Sequence, residues 1–364
     1  MNKKRHKILI VFGTRPEAIK MLPVIIELKK SKNWKVKICV TAQHREMLDQ
    51  ILQMFEITPD FDLNLMEKSQ TLTHLTAKIF TELQEVFDLF GPDWVIVQGD
   101  TTTTMVASIV AFYNGSKVAH IEAGLRTYDK YAPFPEEINR RITSTVTDLH
   151  FAPTTGARDA LIKEGISKKN IYVTGNTIVD TLLMVKNSLA KGQTEIPNFW
   201  SKMINGKRLI LVTSHRRENF GRVLHQICLA LSDLARIHRE VIIIYSVHLN
   251  PHVYDIVNKM LKGKDRIFLT KPLPYDVFIW LMSRADILLT DSGGIQEEAP
   301  TFNIPVFILR RVTERREGLR SGHSYLINTN RAGIVRSVTR YLKENSCNKW
   351  RRKVRNPYGD GLAA

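Results

Sequence analysis

Along this chain, short unbroken apolar runs alternate with longer segments in which apolar residues return every three or four positions. The runs Ile8-Leu9-Ile10-Val11-Phe12, Trp94-Val95-Ile96-Val97 and Leu209-Ile210-Leu211-Val212 offer no polar residue to either face. Strands of that kind are covered on both sides, as in a parallel sheet between two layers of helices. The first half then holds strands at 8–12, 35–40, 94–97, 117–121, 149–152 and 171–174, and the second half at 209–213, 241–245, 266–269, 287–290 and 306–309. Helices are expected between them, among them 18–30, 46–55 and 76–90, the last ended by Gly91-Pro92. The rhythm fails from 183 to 206, where Gly192, Pro197 and Gly206 fall. The pattern predicts an α/β protein of two doubly wound, Rossmann-like domains, 1–182 and 207–364, joined by a connection at 183–206. A length of 364 residues accords with two cores rather than one.

Composition narrows the class. A hydrophobic share of 43% with 24% charged residues is that of an ordinary soluble protein. The formal charge of +17 favours acidic ligands and also permits nucleic acid or an anionic membrane. The basic residues are spread over Lys3-Lys4-Arg5, 310–320 and 349–355 instead of lining one recognition helix, so a small acidic ligand outranks nucleic acid. Three cysteines, Cys39, Cys228 and Cys347, show no metal-ligand spacing, and the first two fall in apolar segments as buried thiols. No run of about 18 apolar residues occurs and Met1 leads directly towards a core strand, so a cytoplasmic protein without membrane insertion is expected.

The candidate chemistry collects where strands end, which is where open α/β sheets bind their ligands. After the first strand, Gly13-Thr14-Arg15-Pro16-Glu17 lacks the spaced glycines of a dinucleotide fingerprint and the Lys-Ser/Thr of a P-loop, which argues against hydride transfer and ATP hydrolysis. Arg15 and Lys20 remain there as cations, with a merely solvated Lys20 as the plainer alternative. Asp100 follows Gln98-Gly99 and precedes Thr101 to Thr104, a hydroxyl-rich helix start suited to a sugar or an anion. Glu122 ends the strand 117–121, and Glu136 and Glu137 open a helix after Pro133-Phe134-Pro135. A helix dipole accounts for one acid at a helix start, not for Asp100, Glu122 and Glu136 together. His215 stands at a strand end with arginines behind it. Asp291-Ser292-Gly293-Gly294 turns out of a buried strand into a helix whose bare N–H groups suit a phosphate, and Glu298, one helical turn on, can meet a ribose. The alternative is a glycine turn capping an ordinary helix with Glu297 and Glu298 solvated. Arg310, Arg311, Thr313, Glu314 and Arg315 follow the strand 306–309, and arginine's planar fork suits a diphosphate.

In this order the segments 13–20, 43–50, 98–104, 122–127, 135–141, 175–180, 215–221, 247–251, 291–300, 313–315 and 356–361 closely resemble the non-hydrolysing UDP-N-acetylglucosamine 2-epimerases. The resemblance implies the architecture of GT-B glycosyltransferases, with two domains facing a central cleft and a tail returning towards the first domain. It implies reversible inversion at C2 of UDP-GlcNAc to give UDP-ManNAc, by anti elimination of UDP through 2-acetamidoglucal, without a cofactor or metal, in a cytoplasmic homodimer. By the same resemblance Asp100, Glu122, Glu136 and His215 match the essential catalytic residues. Arg15, Lys20, Ser292, Gly293 and Gly294 match diphosphate contacts, Glu298 the ribose contact and Arg315 a further UDP contact. Gln43, Arg216 and His248 match a pocket in which some members bind a second, activating UDP-GlcNAc, although Ser69 replaces an arginine of those members. Arg311 and Arg316 stand where an acid and a proline are usual, and Ser214 where glycine or alanine is. A UDP-sugar glycosyltransferase, a hydrolysing 2-epimerase and an inactive nucleotide-sugar binder are the rival readings.

Overall fold

The protein is described by a computed structural model, which covers residues 5–41, 45–67, 70–192, 196–313, 315–344 and 356–364. Two compact units form: unit 1 comprises Met1–Thr181 with Tyr358–Ala364, and unit 2 comprises Leu182–Pro357.

In unit 1 the chain runs β1 (His6–Phe12), α1 (Arg15–Lys30), β2 (Trp34–Val40), α2 (Arg45–Met54), β3 (Phe61–Asp62), α3 (Leu72–Phe90), β4 (Trp94–Gln98), α4 (Thr102–Tyr113), β5 (Lys117–Ile121), α5 (Glu136–Val146), β6 (Leu149–Ala152), α6 (Thr155–Lys163), β7 (Ile171–Val173) and α7 (Ile178–Ala190), whose later turns count with unit 2. The sheet order is β3-β2-β1-β4-β5-β6-β7, and every neighbouring pair is parallel. The apolar runs lie where two-sided cover demands, with Leu9, Ile10, Val11 and Phe12 all fully buried. β3 is a two-residue strand, too short for a periodicity to announce it. α3 starts four residues before the expected 76, because Thr71 accepts the His74 N–H and caps the helix there.

Unit 2 continues with α8 (Asn198–Ile204), β8 (Arg208–Thr213), α9 (Arg222–Ile237), β9 (Val241–Ser246), α10 (Pro251–Leu261), β10 (Ile267–Thr270), α11 (Tyr275–Arg284), β11 (Ile287–Thr290), α12 (Gly293–Glu298), β12 (Val306–Ile308), α13 (Arg316–Arg320), β13 (Ser324–Leu326) and α14 (Arg331–Glu344). Its order, β10-β9-β8-β11-β12-β13, repeats that of the first sheet, again in parallel. β13 was not foreseen from the sequence: it is a three-residue edge strand with Tyr325 and Leu326 exposed. The stretch expected as a bare connection at 183–206 is largely helical, through the end of α7 and all of α8. Trp200 anchors α8 by burial.

Both sheets reverse their winding direction once, between β1 and β4 and between β8 and β11. The loops leaving those strands diverge to opposite faces, so a crevice opens at the carboxyl ends of each pair. Cys39 and Cys228 are buried, as expected, and burial pushes both thiols up to about 12. No helix among the described residues is long and apolar enough to cross a membrane.

Candidate active site

In unit 1 the crevice is walled by the loops after β1 and β4. An added Cβ on Gly13 would lie 2.1 Å from Thr41 Oγ1 and 2.7 Å from Thr103 Oγ1, so only glycine lets these segments close, and the two hydroxyls bond each other at 2.8 Å. Just beyond, the buried Glu17 carboxylate accepts the N–H groups of Gly13 (3.1 Å) and Thr14 (2.8 Å) and the hydroxyls of Thr101 (2.7 Å) and Thr104 (3.2 Å). Burial nevertheless holds its pKa above the usual carboxylate range, the hydrogen bonds from Thr101, Thr14 and Gly13 only opposing that shift. The threonine run expected to meet a sugar or anion is therefore spent inside the protein: Thr101 also caps α4, and Thr102, Thr103 and Thr104 are buried.

The acids themselves stand in two charge-paired clusters. Glu122 leaves β5 in the left-handed region, with φ of 64°. Its Oε1 receives Lys20 Nζ at 2.5 Å and Asn176 Nδ2 at 3.0 Å, while Gln98 Nε2 donates to Oε2. Only 7% of the Glu122 side chain and 9% of the Lys20 side chain are exposed, which corrects the solvated alternative for Lys20. Asp100 follows β4 and takes the Arg140 fork on Oδ2, from Nε at 2.9 Å and Nη2 at 2.6 Å. At 29% exposure against 6% for Arg140, the Asp100 carboxylate is the open member of its pair. Arg140 also donates at 3.1 Å to Glu137, which is buried and accepts the Thr127 and Tyr128 N–H groups, so the loop before α5 is tied to the same cluster. Asn139 donates to the Asp100 carbonyl at 2.9 Å. Glu136 opens α5, half-buried, with Oε2 buried and without a hydrogen-bond partner among the described residues. Arg15 opens α1, also half-buried.

Unit 2 is built differently, around one fully buried carboxylate. Asp291 accepts Ser214 Oγ at 2.7 Å, the N–H groups of His215 and Arg216 at 3.0 Å each, and Asn219 Nδ2 at 2.8 Å. The loop after β8 is thus wound onto the residue that ends β11, beside the Thr213–Thr290 hydroxyl pair at 2.7 Å. His215 Nδ1 lies 3.3 Å from Asp291 Oδ1. Burial lowers the His215 pKa, Asp291 opposes that, and Arg216, His248 and Arg310 add to it. The rings of His215 and His248 stack 5.8 Å apart at 26°. Arg216 Nε is buried and finds no hydrogen-bond partner among the described residues.

After Asp291, Ser292 holds the N-cap position of α12 without a side-chain capping bond; the helix is only six residues long and passes into a 3-10 turn at Ala299–Phe302. A Cβ on Gly293 would lie 2.8 Å from Arg315 Cζ, so the guanidinium lies close over that glycine, whereas one on Gly294 would meet Ser292 Oγ only at an ordinary 3.9 Å. Glu297 Oε1 accepts Arg315 Nε at 3.0 Å, and Thr313 Oγ1 bonds Gln296, whose amide donates to the Ser292 carbonyl. Glu297 and Glu298 are 2% and 8% exposed, which corrects the reading in which both are solvated. Gln43, Ser69 and Glu314 lie outside the described residues.

The structure therefore gathers Asp100, Glu122, Glu136, Arg15 and Lys20 in unit 1, and His215, Arg216, His248, Ser292, Gly293, Gly294, Glu298 and Arg315 in unit 2. Sequence reasoning missed the residues that hold them: Gln98, Asn176, Glu137, Arg140 and Asp291. Arg140 carried a usable signal, since it falls three and four positions after Glu137 and Glu136 on one helix face. Among the described residues no cluster of three His, Cys, Asp or Glu side chains has a metal-holding arrangement.

Comparison with known proteins bears on the family and the fold. The sequence profile of the UDP-N-acetylglucosamine 2-epimerase family matches residues 26–364. The UDP-N-acetylglucosamine 2-epimerase of Escherichia coli K12 is 47% identical over 360 residues, which is 98% of this chain and 96% of the relative. The crystal structure of UDP-GlcNAc 2-epimerase from Neisseria meningitidis bound to UDP-GlcNAc superposes with a TM-score of 0.91 at 43% identity, covering 98% of this chain and 97% of the other. The Methanocaldococcus jannaschii UDP-GlcNAc 2-epimerase in complex with UDP-GlcNAc and UDP gives 0.83 at 33% identity, with 98% and 97% covered. With a profile match over most of its length and close to half of its residues shared with a relative of the same size, the chain belongs to the UDP-N-acetylglucosamine 2-epimerase family.

Proposed function

We propose that this protein interconverts UDP-N-acetylglucosamine and UDP-N-acetylmannosamine by the non-hydrolysing route. One carboxylate removes the proton at C2, the C2–H electrons form the C1–C2 double bond, and the C1–O bond breaks with its electrons leaving on UDP. The resulting 2-acetamidoglucal stays bound. UDP then re-adds at C1 while a second acid delivers a proton to the opposite face of C2. The steps balance with one proton out and one in, and call for no oxidant.

The observation that carries the reading is the pair of acid–cation clusters at the crevice of unit 1, Glu122 with Lys20 and Asp100 with Arg140. A weakly acidic C–H demands a positioned base, inversion demands a donor on the other face, and both demand rigid support. The sugar is assigned to Asp100, Glu122 and Glu136. The diphosphate is assigned to Arg15 and to the Ser292–Gly293–Gly294 turn with Arg315, the ribose to Glu298, and His215 stays among the proposed catalytic residues. Lys20, matched by resemblance to a diphosphate contact, has its ammonium on Glu122 and supports the acid as well. Arg216 and His248, the latter stacked on His215, are assigned to the proposed activating pocket. A cytoplasmic homodimer without a nucleic-acid partner completes the reading.

Incubation with UDP-GlcNAc alone, followed by nuclear magnetic resonance, tests it. The expected product is UDP-ManNAc at equilibrium with substrate. Free ManNAc with UDP indicates the hydrolysing reaction, transfer only after an acceptor is added indicates a glycosyltransferase, and binding without turnover indicates an inactive binder.

A further inference from the structure

We infer that the C-terminal tail is part of the catalytic apparatus, because it fixes Asn176, and Asn176 in turn orients Glu122. The inference rests on the epimerase reading above and adds a positioning residue to it.

Tyr358–Ala364 pack into unit 1 instead of unit 2. The Tyr358 ring is 3% exposed, and its carbonyl accepts the Asn176 N–H at 2.7 Å. Two further tail groups, the N–H of Ala363 and of Ala364, donate to Asp180 Oδ1 at 3.0 and 3.3 Å, one turn along α7. The Asn176 side chain is thereby held at both ends. Its Oδ1 accepts the Ile178 N–H at 3.1 Å and so caps α7. That bond settles which way the amide faces, and it aims Nδ2 at Glu122 Oε1, 3.0 Å away.

Glu122 needs such support. Its backbone sits in a conformation that side-chain-bearing residues seldom adopt, and its carboxylate carries the Lys20 ammonium from α1. Lys20 alone fixes a distance. The combination of Lys20, Gln98 and Asn176, coming from a helix, a strand end and a loop, fixes the plane of the carboxylate as well. Removing one donor leaves the charge paired and the orientation loose. Misplacement of a base by about 1 Å is enough to cost on the order of 100-fold in rate.

The test is Asn176→Asp, which keeps the acceptor for Ile178 and the side-chain volume but replaces the donor facing Glu122 by an oxygen. Asn176→Ser, also a good cap and too short to reach Glu122, is the second variant. Tyr358→Ala loosens the tail itself. Expected are kcat values lowered roughly 10- to 100-fold for both Asn176 variants and less for Tyr358→Ala, with KM for UDP-GlcNAc within about twofold of the parent throughout. A merely structural role would lower the folded fraction and leave the kcat of folded enzyme alone. Normal kcat in the two Asn176 variants, or a raised KM with unchanged kcat, overturns the proposal. A crystal structure of Asn176→Asp supplies a readout independent of turnover: the Glu122 carboxylate is expected to rotate away from its parental position, and an unmoved carboxylate overturns the inference even if the parent protein proves not to be an epimerase.

Discussion

Asp100 and Asp291 occupy matching places in the two units, each just past the strand that begins the second half of its sheet. Their fates differ. Asp100 keeps 29% of its side chain in the open and is held from one side by Arg140, whereas Asp291 is fully buried and surrounded by donors of its own unit. One topology thus yields a partly open carboxylate in unit 1 and a buried, structural one in unit 2. Under the proposed function the contrast follows from what each is assigned to hold. A sugar carbon needs a charged group that can reach it, while a diphosphate is best met by backbone N–H groups and an arginine fork, which need only a rigid loop to present them.

The largest effect expected from this contrast separates chemistry from binding. Asp100→Asn and Glu122→Gln are expected to lower turnover by about 10²–10⁴-fold while UDP affinity, read by calorimetry, stays within a few-fold. Equal losses in both would erase the distinction between the units.

Next in size is Asp291→Ala, which leaves Ser214 Oγ, two backbone N–H groups and Asn219 Nδ2 without their acceptor. A stability loss of about 3–5 kcal/mol in urea unfolding is expected, together with loss of UDP binding. The removal of Asp100 is expected to cost far less stability, because its carboxylate is partly solvated.

A smaller change is expected from Gly293→Ala. Its Cβ would push on Arg315 Cζ from 2.8 Å, so UDP affinity is expected to fall about tenfold as the guanidinium shifts, an overpacking cost of roughly 1–2 kcal/mol. The same change at Gly294 meets only Ser292 Oγ at 3.9 Å and is expected to be close to neutral.

The gentlest test uses pH. Burial lowers His120 to about 3 and His150 to about 4, both in unit 1. A histidine buried neutral contributes stability that is complete above its unfolded pKa of about 6.5 and is lost as pH falls towards its folded value. Each such group gives a slope of about 1.4 kcal/mol per pH unit once the unfolded state is the more protonated one. Hydrogen exchange between pH 6.5 and 4 is therefore expected to show unit 1 weakening, and His120→Gln, which replaces the Nε2 donor to the Gly99 carbonyl by an amide, to flatten that dependence.

Much of this was legible in the sequence because parallel sheets write themselves as apolar runs. The strands longer than three residues fell where expected, and Asp100 and Glu122 could be singled out because each follows such a run. What the sequence hid were short edge strands such as Phe61–Asp62, and side chains whose role exists only across the fold. Asn176 meets Glu122 54 positions away, and Asp291 meets Ser214 77 positions away. No spacing rule reaches that far. The threonines after Asp100 misled for a related reason: their hydroxyls looked available for a ligand, and only the fold reveals that the buried Glu17 uses two of them.

The central claim is that unit 1 handles a proton at C2 of the sugar. A nuclear magnetic resonance time course of UDP-GlcNAc with the protein in deuterated buffer tests it most directly. The account predicts that deuterium enters C2 of both UDP-sugars as UDP-ManNAc accumulates, and that Glu122→Gln suppresses the exchange. Epimer formed with its C2 proton retained, or no exchange by a folded protein that binds UDP, would contradict it.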